Sequence, residues 1–299
     1  MNITPAQPIQ TAKQLPKRLF WTKSRSKLIG DLVTYAIILL LSTIILIPVL
    51  WMLSTALKEN SEVFLFPPRW LPSKPDWSNF PKSLTFLPFA QYFANTSLIT
   101  FAAVIGQLVS SPMVAFAFAR LRARGKTTLF ILILATMMLP SQVTMISTFL
   151  GFKAFGLVDT FVPLILPNFF GGPFYIFLLR QFFLTISPEL ADAAKIDGCG
   201  YFQIFTLIYL PLSKPALATV AIFTFMGNWN DFMGPLIYLS KDKNWTLTLG
   251  LSRFTGMYGL TAWNLLMAAS LITVLPCILL FFFAQRYFIQ GIVITGVKG

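Results

Sequence analysis

The sequence predicts an all-α integral membrane protein with six transmembrane helices and both termini in the cytoplasm. Of its 299 residues, 56% are hydrophobic and only 11% are charged, whereas soluble domains carry about 25% charged residues. Six long stretches contain no Asp, Glu, Lys or Arg, and a membrane-spanning helix needs about 20 such residues. The excess of 23 basic over 10 acidic residues lies mainly beside these stretches.

The six apolar stretches differ in regularity. The fourth contains three prolines and two glycines between residues 163 and 173, which predicts a kinked or interrupted helix. The fifth is short unless its polar end, residues 228–231, lies at membrane depth and the helix continues to Leu239. The other four are long enough to cross without interruption. The stretches are Leu32–Leu57, Ser97–Ala119, Thr128–Leu150, Phe161–Leu179, Ala216–Asn230 and Leu265–Ala284.

Basic residues in the short connecting segments predict the orientation. Fifteen of the 23 lie on one side, including six before the first stretch and four between the second and third. We therefore expect residues 1–30 to form a basic cytoplasmic segment and residues 31–299 to form the six-span domain. This position beside apolar spans makes the positive charge a topology signal with contacts to membrane lipid, and it disfavours nucleic acid as a partner.

Composition also excludes several kinds of chemistry. The chain contains no His, which removes Ser-His-Asp triads, H-E-x-x-H zinc sites and imidazole general bases. Two Cys and scattered carboxylates provide no metal-ligand set. We predict no catalytic residues, no metal and no bound cofactor for this chain, so it is not an enzyme.

The most informative segment, residues 185–214, lies between the fourth and fifth stretches. Ser187 is suited to an N-cap and Pro188 to the first helical position. Glu189 falls in the first turn, where the helix dipole favours an anion. Gly198 is placed to end the helix, and a second helical piece over Tyr201–Leu210 precedes Pro211. These signals predict two short cytoplasmic helices joined by a turn.

Two interpretations of the first short helix remain open. It could lie on the protein's own cytoplasmic face, or it could dock onto a soluble partner. A helix of about ten residues is unstable alone and must pack against something. Its small Ala side chains permit close approach, and its acids, Glu189, Asp192 and Asp197, could face basic groups of a partner.

This segment resembles a known signature. Asp192, Ala193 and Ala194, then Gly198 after three residues and Ile208-x-Leu210-Pro211 after nine more, resemble the "EAA" motif of ABC-importer permease subunits, with Asp192 in place of Glu. Flanking blocks resemble the carbohydrate-uptake branch, and the similarity covers residues 30–299. These blocks are Glu189-Leu190, residues 139–144, 180–183, 196–198 and 229–232, and the C-terminal residues 285–299.

The resemblance implies the core fold of a type I ABC importer permease and a set of partners. These are a second permease subunit, two ATP-binding cassette ATPases that use ATP and Mg, and an external solute-binding protein. The chain would be a multi-pass protein of the bacterial cytoplasmic membrane that imports a sugar or sugar-like solute. The residues that would couple it to the ATPase are Glu189, Leu190, Asp192, Ala193, Ala194, Asp197, Gly198, Ile208, Leu210 and Pro211.

A second set of polar residues is predicted at membrane depth, where such residues usually mark a pathway. Asn228, Trp229, Asn230 and Asp231 combine an aromatic ring with amides, which suits sugars. Gln142 and Asn168 lie beside prolines and are weaker candidates. The alternative for residues 228–231 is an interfacial anchor at a helix end.

Two other functional classes, a secondary transporter or channel and a membrane-embedded enzyme, fit the sequence less well. A secondary transporter or channel for a small polar solute would need no docking signature and would typically carry an ionisable residue within a span. None of the six stretches contains one. A membrane-embedded enzyme would have little to work with, because the chain has no His and no clustered carboxylates that face each other across spans. The absence of basic clusters within the stretches also disfavours an anionic solute.

Overall fold

The computed structural model describes the backbone of residues 18–255 and 261–296 and the side chains of residues 27–255 and 261–285. Every regular element in this part of the chain is helical. It divides into one compact unit up to Met52 and another from Leu53 onward. The α-helices are α1 (Arg18–Ala56), α2 (Asn79–Phe86), α3 (Phe89–Arg120), α4 (Lys126–Thr136), α5 (Ser141–Ala154), α6 (Val162–Ile165), α7 (Pro173–Thr185), α8 (Pro188–Ile196), α9 (Tyr201–Ile204), α10 (Leu210–Leu212), α11 (Lys214–Trp229), α12 (Met233–Tyr238), α13 (Leu247–Leu251) and α14 (Trp263–Gly296).

Four helical stretches are long and apolar enough to cross a membrane, and two further pairs meet this criterion only when each bent pair is taken together. The described chain therefore has four to six candidate spans. The single stretches are Lys27–Ala56, Phe89–Arg120, Val162–Thr185 and Trp263–Gln285. The bent pairs are Lys126–Thr136 with Ser141–Ala154, at 97°, and Tyr201–Leu212 with Lys214–Trp229, at 79°.

The third apolar stretch is not the uninterrupted helix that the sequence predicts. Helix α4 ends at Thr136, and α5 begins at Ser141 after Pro140, whose backbone is extended with φ −60° and ψ 135°. Proline has no N–H to donate, and its ring pushes the preceding residue away from helical geometry. The sequence marked this position with Pro140, and the chain bends there by 97°.

The predicted interruption of the fourth stretch is confirmed. Helix α6 runs into a 3₁₀ turn over Leu166–Phe170, and α7 begins only at Pro173. Gly171 between them has φ +81°, a conformation that residues with a Cβ rarely adopt. The fifth stretch ends at Trp229, and α12 is a separate helix, so the chain does not continue helically to Leu239.

Helix α3 lies at the centre of the second unit and packs against α7 and α11. Near its C-terminal end, the rings of Phe116, Phe183 and Tyr209 form an edge-to-face cluster with centroid separations of 5.0–6.4 Å. Such arrangements are favourable for aromatic pairs. This aromatic cluster joins α3 and α7 to the segment that follows α8, and so fixes the base of the predicted coupling region.

Candidate functional site

Helix α8 begins as the sequence predicts. Ser187 is the N-cap residue, and its Oγ accepts a hydrogen bond from the backbone N–H of Glu189 at 3.3 Å. Pro188 occupies the first helical position, where its missing N–H costs nothing. Glu189 lies in the first turn beside the positive end of the helix dipole. The start of this short helix is therefore specified locally.

Its C-terminal end forms a glycine-dependent cap. Gly198 has φ +86°, its N–H donates to Lys195 O at 3.0 Å, and the N–H of Cys199 donates to Ala194 O at 2.9 Å. This pair of bonds is the Schellman arrangement that satisfies the last free carbonyls of a helix. The chain then turns sharply into α9.

Helix α8 contacts the rest of the unit through two alanines and presents its other side chains outward. Ala191 and Ala194 are 7% and 8% exposed and belong to the same apolar core as the aromatic cluster. Ile196 is 88% exposed, and Leu190, Tyr201, Phe202 and Leu207 are also exposed. We call this set the apolar corner. An exposed apolar patch of this kind typically marks an interaction site.

The acid that opens the motif is already paired within the helix. Asp192 accepts a hydrogen bond from Lys195 Nζ at 2.9 Å, and both side chains are exposed. This bond lowers the pKa of Asp192 and raises the pKa of Lys195. The lowered pKa favours the ionised form of Asp192. Its side chain also lines a cavity of about 190 Å³, together with Arg120, Arg122 and Tyr201.

The second piece of the segment contains the remaining motif residues. Helix α9 passes into a π-helical turn over Phe205–Tyr209 and then into α10. Pro211 cannot donate to Leu207 O, and its ring crowds that carbonyl, which accounts for the wider turn. Ile208 and Leu210 are half-buried, whereas Pro211 is exposed. The predicted helix–turn–helix organisation of residues 185–214 is thus present.

The candidate pathway residues do not form one cluster. Trp229 is 2% exposed, its ring stacks on Phe225 at 5.2 Å, and its Nε1 donates to Thr273 O at 3.1 Å. Asn228 and Asn230 donate to carbonyls of their own helix, Thr224 O and Met226 O. The indole is thus enclosed by protein, and the flanking amides remain more accessible.

Asn168 and Asp231 both lie near Leu164. Asn168 Nδ2 donates to Leu164 O at 3.1 Å, and a Cβ added to Gly234, beside Asp231, would lie 2.9 Å from Leu164 Cδ2. Asp231 Oδ1 accepts the N–H of Gly234 at 3.1 Å. Gln142 lies apart, exposed in the first turn of α5.

A buried amide that the sequence reasoning missed holds the break in the fourth stretch. Gln107, in α3, is 5% exposed. Its Oε1 accepts from Gly172 N–H at 3.0 Å and from Ser111 Oγ at 2.6 Å, and its Nε2 donates to Asn168 Oδ1 at 3.3 Å. A lone glutamine within an apolar helix is the signal that could have identified it, since such residues face the bundle interior.

These features define a class. An all-helical chain with apolar stretches that are bent or broken, and with a short, firmly capped helix that presents an apolar corner, has the architecture of a membrane transport subunit. Among the described residues, no group of three or more His, Cys, Asp or Glu side chains could hold a metal.

The comparisons identify the family. Residues 111–294 match the family described as "Binding-protein-dependent transport system inner membrane component". The chain belongs to this family of ABC transporter permeases, and the resemblance seen in the sequence is confirmed. The fold is the ABC permease fold.

Similar proteins include the arabinooligosaccharides transport system permease protein of Halalkalibacterium halodurans, 36% identical over 82% of this chain and 86% of that protein. The sn-glycerol-3-phosphate transport system permease protein of Yersinia pestis bv. Antiqua is 30% identical over 88% and 96%. A chain in the crystal structure of a bacterial ABC transporter involved in the import of the acidic polysaccharide alginate is 25% identical, with a TM-score of 0.77, covering 88% of this chain and 98% of that chain.

Proposed function

We propose that this chain is the membrane-spanning subunit of an ATP-driven, binding-protein-dependent importer for a sugar or sugar-like solute. The observation that carries the proposal is the apolar corner. It is formed by α8, which has defined caps at both ends, and by the segment that follows it, and both carry residues of the motif that resembles that of ABC permeases. The names of the relatives, which refer to arabino-oligosaccharides, glycerol phosphate and alginate, support oligosaccharides and glycerol phosphates as solute classes. Polyol glycosides remain part of the proposal as chemically similar solutes.

Helix α8 would dock into a groove of a cytoplasmic ATPase. Leu190 and Ile196 supply apolar contacts, and Glu189, Asp192 and Asp197 supply negative charge for a basic rim. ATP and Mg would be used by that partner, and this chain would hydrolyse nothing. A second permease would complete the membrane domain, and an external binding protein would deliver the solute.

The topology that fits this mechanism has six crossings with both termini in the cytoplasm of a bacterial cell. Each bent helix pair then counts as one span, and residues 185–214 lie on the cytoplasmic side. The distribution of Lys and Arg supports this orientation. The break in the fourth span suits a permease, because irregular backbone at membrane depth is tolerated only against protein or a water-filled cavity.

In the solute path we assign direct contact to Asn228, Asn230, Asp231, Gln142 and Asn168, which retain accessible polar surface. Trp229 would act indirectly, because its ring is enclosed and its N–H is already bonded to Thr273. In this arrangement Trp229 fixes the end of α11 and thereby the positions of the amides on either side of it.

The test is purification of the tagged chain from its own membranes in a mild detergent, with partners identified by mass spectrometry. We expect a second permease and an ATPase with wild type. Ala194→Glu should retain the second permease and lose the ATPase, because Ala194 is one of the two buried residues through which α8 packs on the core, and a charge there would displace the helix. Ala123→Glu is the matched control, since it adds the same charge at an exposed position.

Transport is measured in the same membranes as vesicle uptake of arabino-oligosaccharides and of sn-glycerol-3-phosphate as probes. Uptake should require ATP and the external binding protein. Uptake that survives ATP depletion and follows an imposed ion gradient would instead identify a secondary transporter. Absence of any ATPase from the wild-type preparation would contradict the docking role of α8.

A further inference from the structure

Two arginines that the sequence reasoning counted only as topology charges brace α3 and α7 against each other. Arg120, the last residue of α3, donates from Nη2 to Phe183 O at 2.7 Å and also to Ile186 O. Arg180, in α7, donates from Nε to Phe118 O at 3.2 Å, and its guanidinium lies 4.2 Å from the ring centroid of Phe130. Each helix thus supplies a cation to a carbonyl of the other.

We call residues 185–214 the coupling segment, and the two carbonyls that Arg120 contacts lie just before its start and within its first residues. Phe183 is in the last turn of α7, and Ile186 immediately precedes the N-cap of α8. The last carbonyls of a helix lack intrahelical donors and carry the negative end of the helix dipole. A guanidinium is the strongest available donor to such a site, because its bonds are charge-assisted.

Arg120 also contacts the chain where it leaves the coupling segment. Its guanidinium lies 5.3 Å from the ring centroid of Tyr209, which is fully buried. Cations over aromatic faces are attracted by the ring, more strongly where water is excluded. One side chain therefore touches the segment before α8 and the segment after α9, and its backbone belongs to a different helix.

We infer that Arg120 is the positioning residue that makes the coupling segment and α3 move as one rigid unit, so that displacement of α8 reaches the membrane helices. The inference rests on the proposed function for the direction of force, but the rigidity itself is a property of this chain. Arg180 reinforces the same unit from α7. The hydrogen bonds and ring contacts given above for the two arginines go to residues outside the apolar corner, so both act through position.

The test uses the full transporter in proteoliposomes, with spin labels on cysteines introduced at Ala123 and Gln203 in a Cys199→Ser, Cys277→Ser background. Both label sites are exposed. The distance between them is measured by electron spin resonance without nucleotide and with a non-hydrolysable ATP analogue. In wild type we expect one distance that nucleotide does not change, as a rigid unit requires.

Arg120→Gln should produce a second distance that nucleotide populates, with the detached arrangement enriched about tenfold, as the loss of charge-assisted hydrogen bonds predicts. Arg120→Lys should give a smaller detached fraction than Arg120→Gln, because lysine keeps the positive charge and can still reach some of the three contacts. Arg122→Gln is the matched control and should behave as wild type, since Arg122 is an exposed arginine at the edge of the same cavity.

A single nucleotide-independent distance in Arg120→Gln would overturn the inference. If Arg120→Gln does not assemble, Arg120→Lys decides in the same way. Failure of both to fold, with Arg122→Gln normal, would also overturn it by showing a purely structural role. Absence of an ATPase from the wild-type complex would refute the proposed function instead, and the distances in the isolated permease would still report the rigid unit.

Discussion

Replacement of Gly198 by Val tests whether the backbone turn after α8 matters for docking as much as the side chains of the apolar corner do. Gly198 has φ +86°, and a Cβ built at this position meets no atom within 4 Å. The added Cβ therefore makes no clash, and the main cost of the substitution is conformational. This makes Gly198 a cleaner probe of backbone geometry than a buried residue, whose replacement would also disturb packing.

The size of the effect follows from the left-handed conformation. An L residue pays about 1–2 kcal/mol to adopt it, and a β-branched residue is a genuine outlier there. Relief of that strain would break the two capping bonds to Lys195 O and Ala194 O. A cost of about 1–2 kcal/mol reduces the population of the native turn at Gly198 roughly 5- to 30-fold. The affinity of α8 for the ATPase should fall by the same factor.

The assay is the amount of ATPase that co-purifies with the tagged permease, with thermal unfolding as the control for folding. We expect Gly198→Val to lose most of the ATPase and to retain the second permease. Gly198→Asn should bind nearly as wild type, because Asn tolerates the left-handed region. Equal docking by Val and wild type, or equal loss with Asn and Val, would refute the argument.

Three further predictions concern other parts of the fold. Gln107→Leu should leave the Gly172 N–H unsatisfied and lower stability by about 1–3 kcal/mol, read as a fall in the thermal midpoint. Trp229→Phe should lower uptake of each probe solute by one common factor, because the ring packs against protein, and a changed preference among solutes would contradict this. Asp159 lies between α5 and α6, and the hydrogen bond from the backbone N–H of Lys241 lowers the pKa of its carboxyl below the usual 3.8. The ionised carboxylate therefore stabilises the folded state fully above pH 3.8, and this contribution is lost as the pH falls further. The free energy of unfolding of wild type should consequently fall more steeply below about pH 4 than that of Asp159→Asn.

Local structure was predictable where residues act on their own backbone. Ser187, Pro188 and Gly198 each specify a conformation within a few residues of themselves, and the structure places them at the predicted start and end of α8. The glycines and prolines of the fourth stretch likewise marked its interruption. At Pro140, by contrast, the sequence predicted an uninterrupted helix, and the 97° bend was not predicted because the angle depends on what each half packs against.

Long-range partnerships could not be predicted in the same way. Arg120 and Phe183 are 63 residues apart, and nothing within the α3 sequence indicates that its terminal arginine meets the carbonyls of α7. The same holds for Gln107 and Gly172. Rules based on the count of basic residues assign Arg120 to one side of the membrane and say nothing of its partners, because a topology rule is satisfied equally by a solvated charge.

The coupling segment depends both on local sequence signals and on long-range contacts. Helix α8 has nine residues, too few to hold its shape in isolation, and only two alanines attach it to the core. Its orientation must therefore come from the fixed ends: the serine cap, the glycine turn, and the arginine that grips the chain on both sides. In the proposed docking role, α8 would transmit force through its backbone positions, while its exposed side chains would remain free to match the partner. Substitutions at the ends of α8 should therefore impair transport by changing the orientation of the helix. Substitutions on the apolar corner should impair it by lowering the affinity for the ATPase.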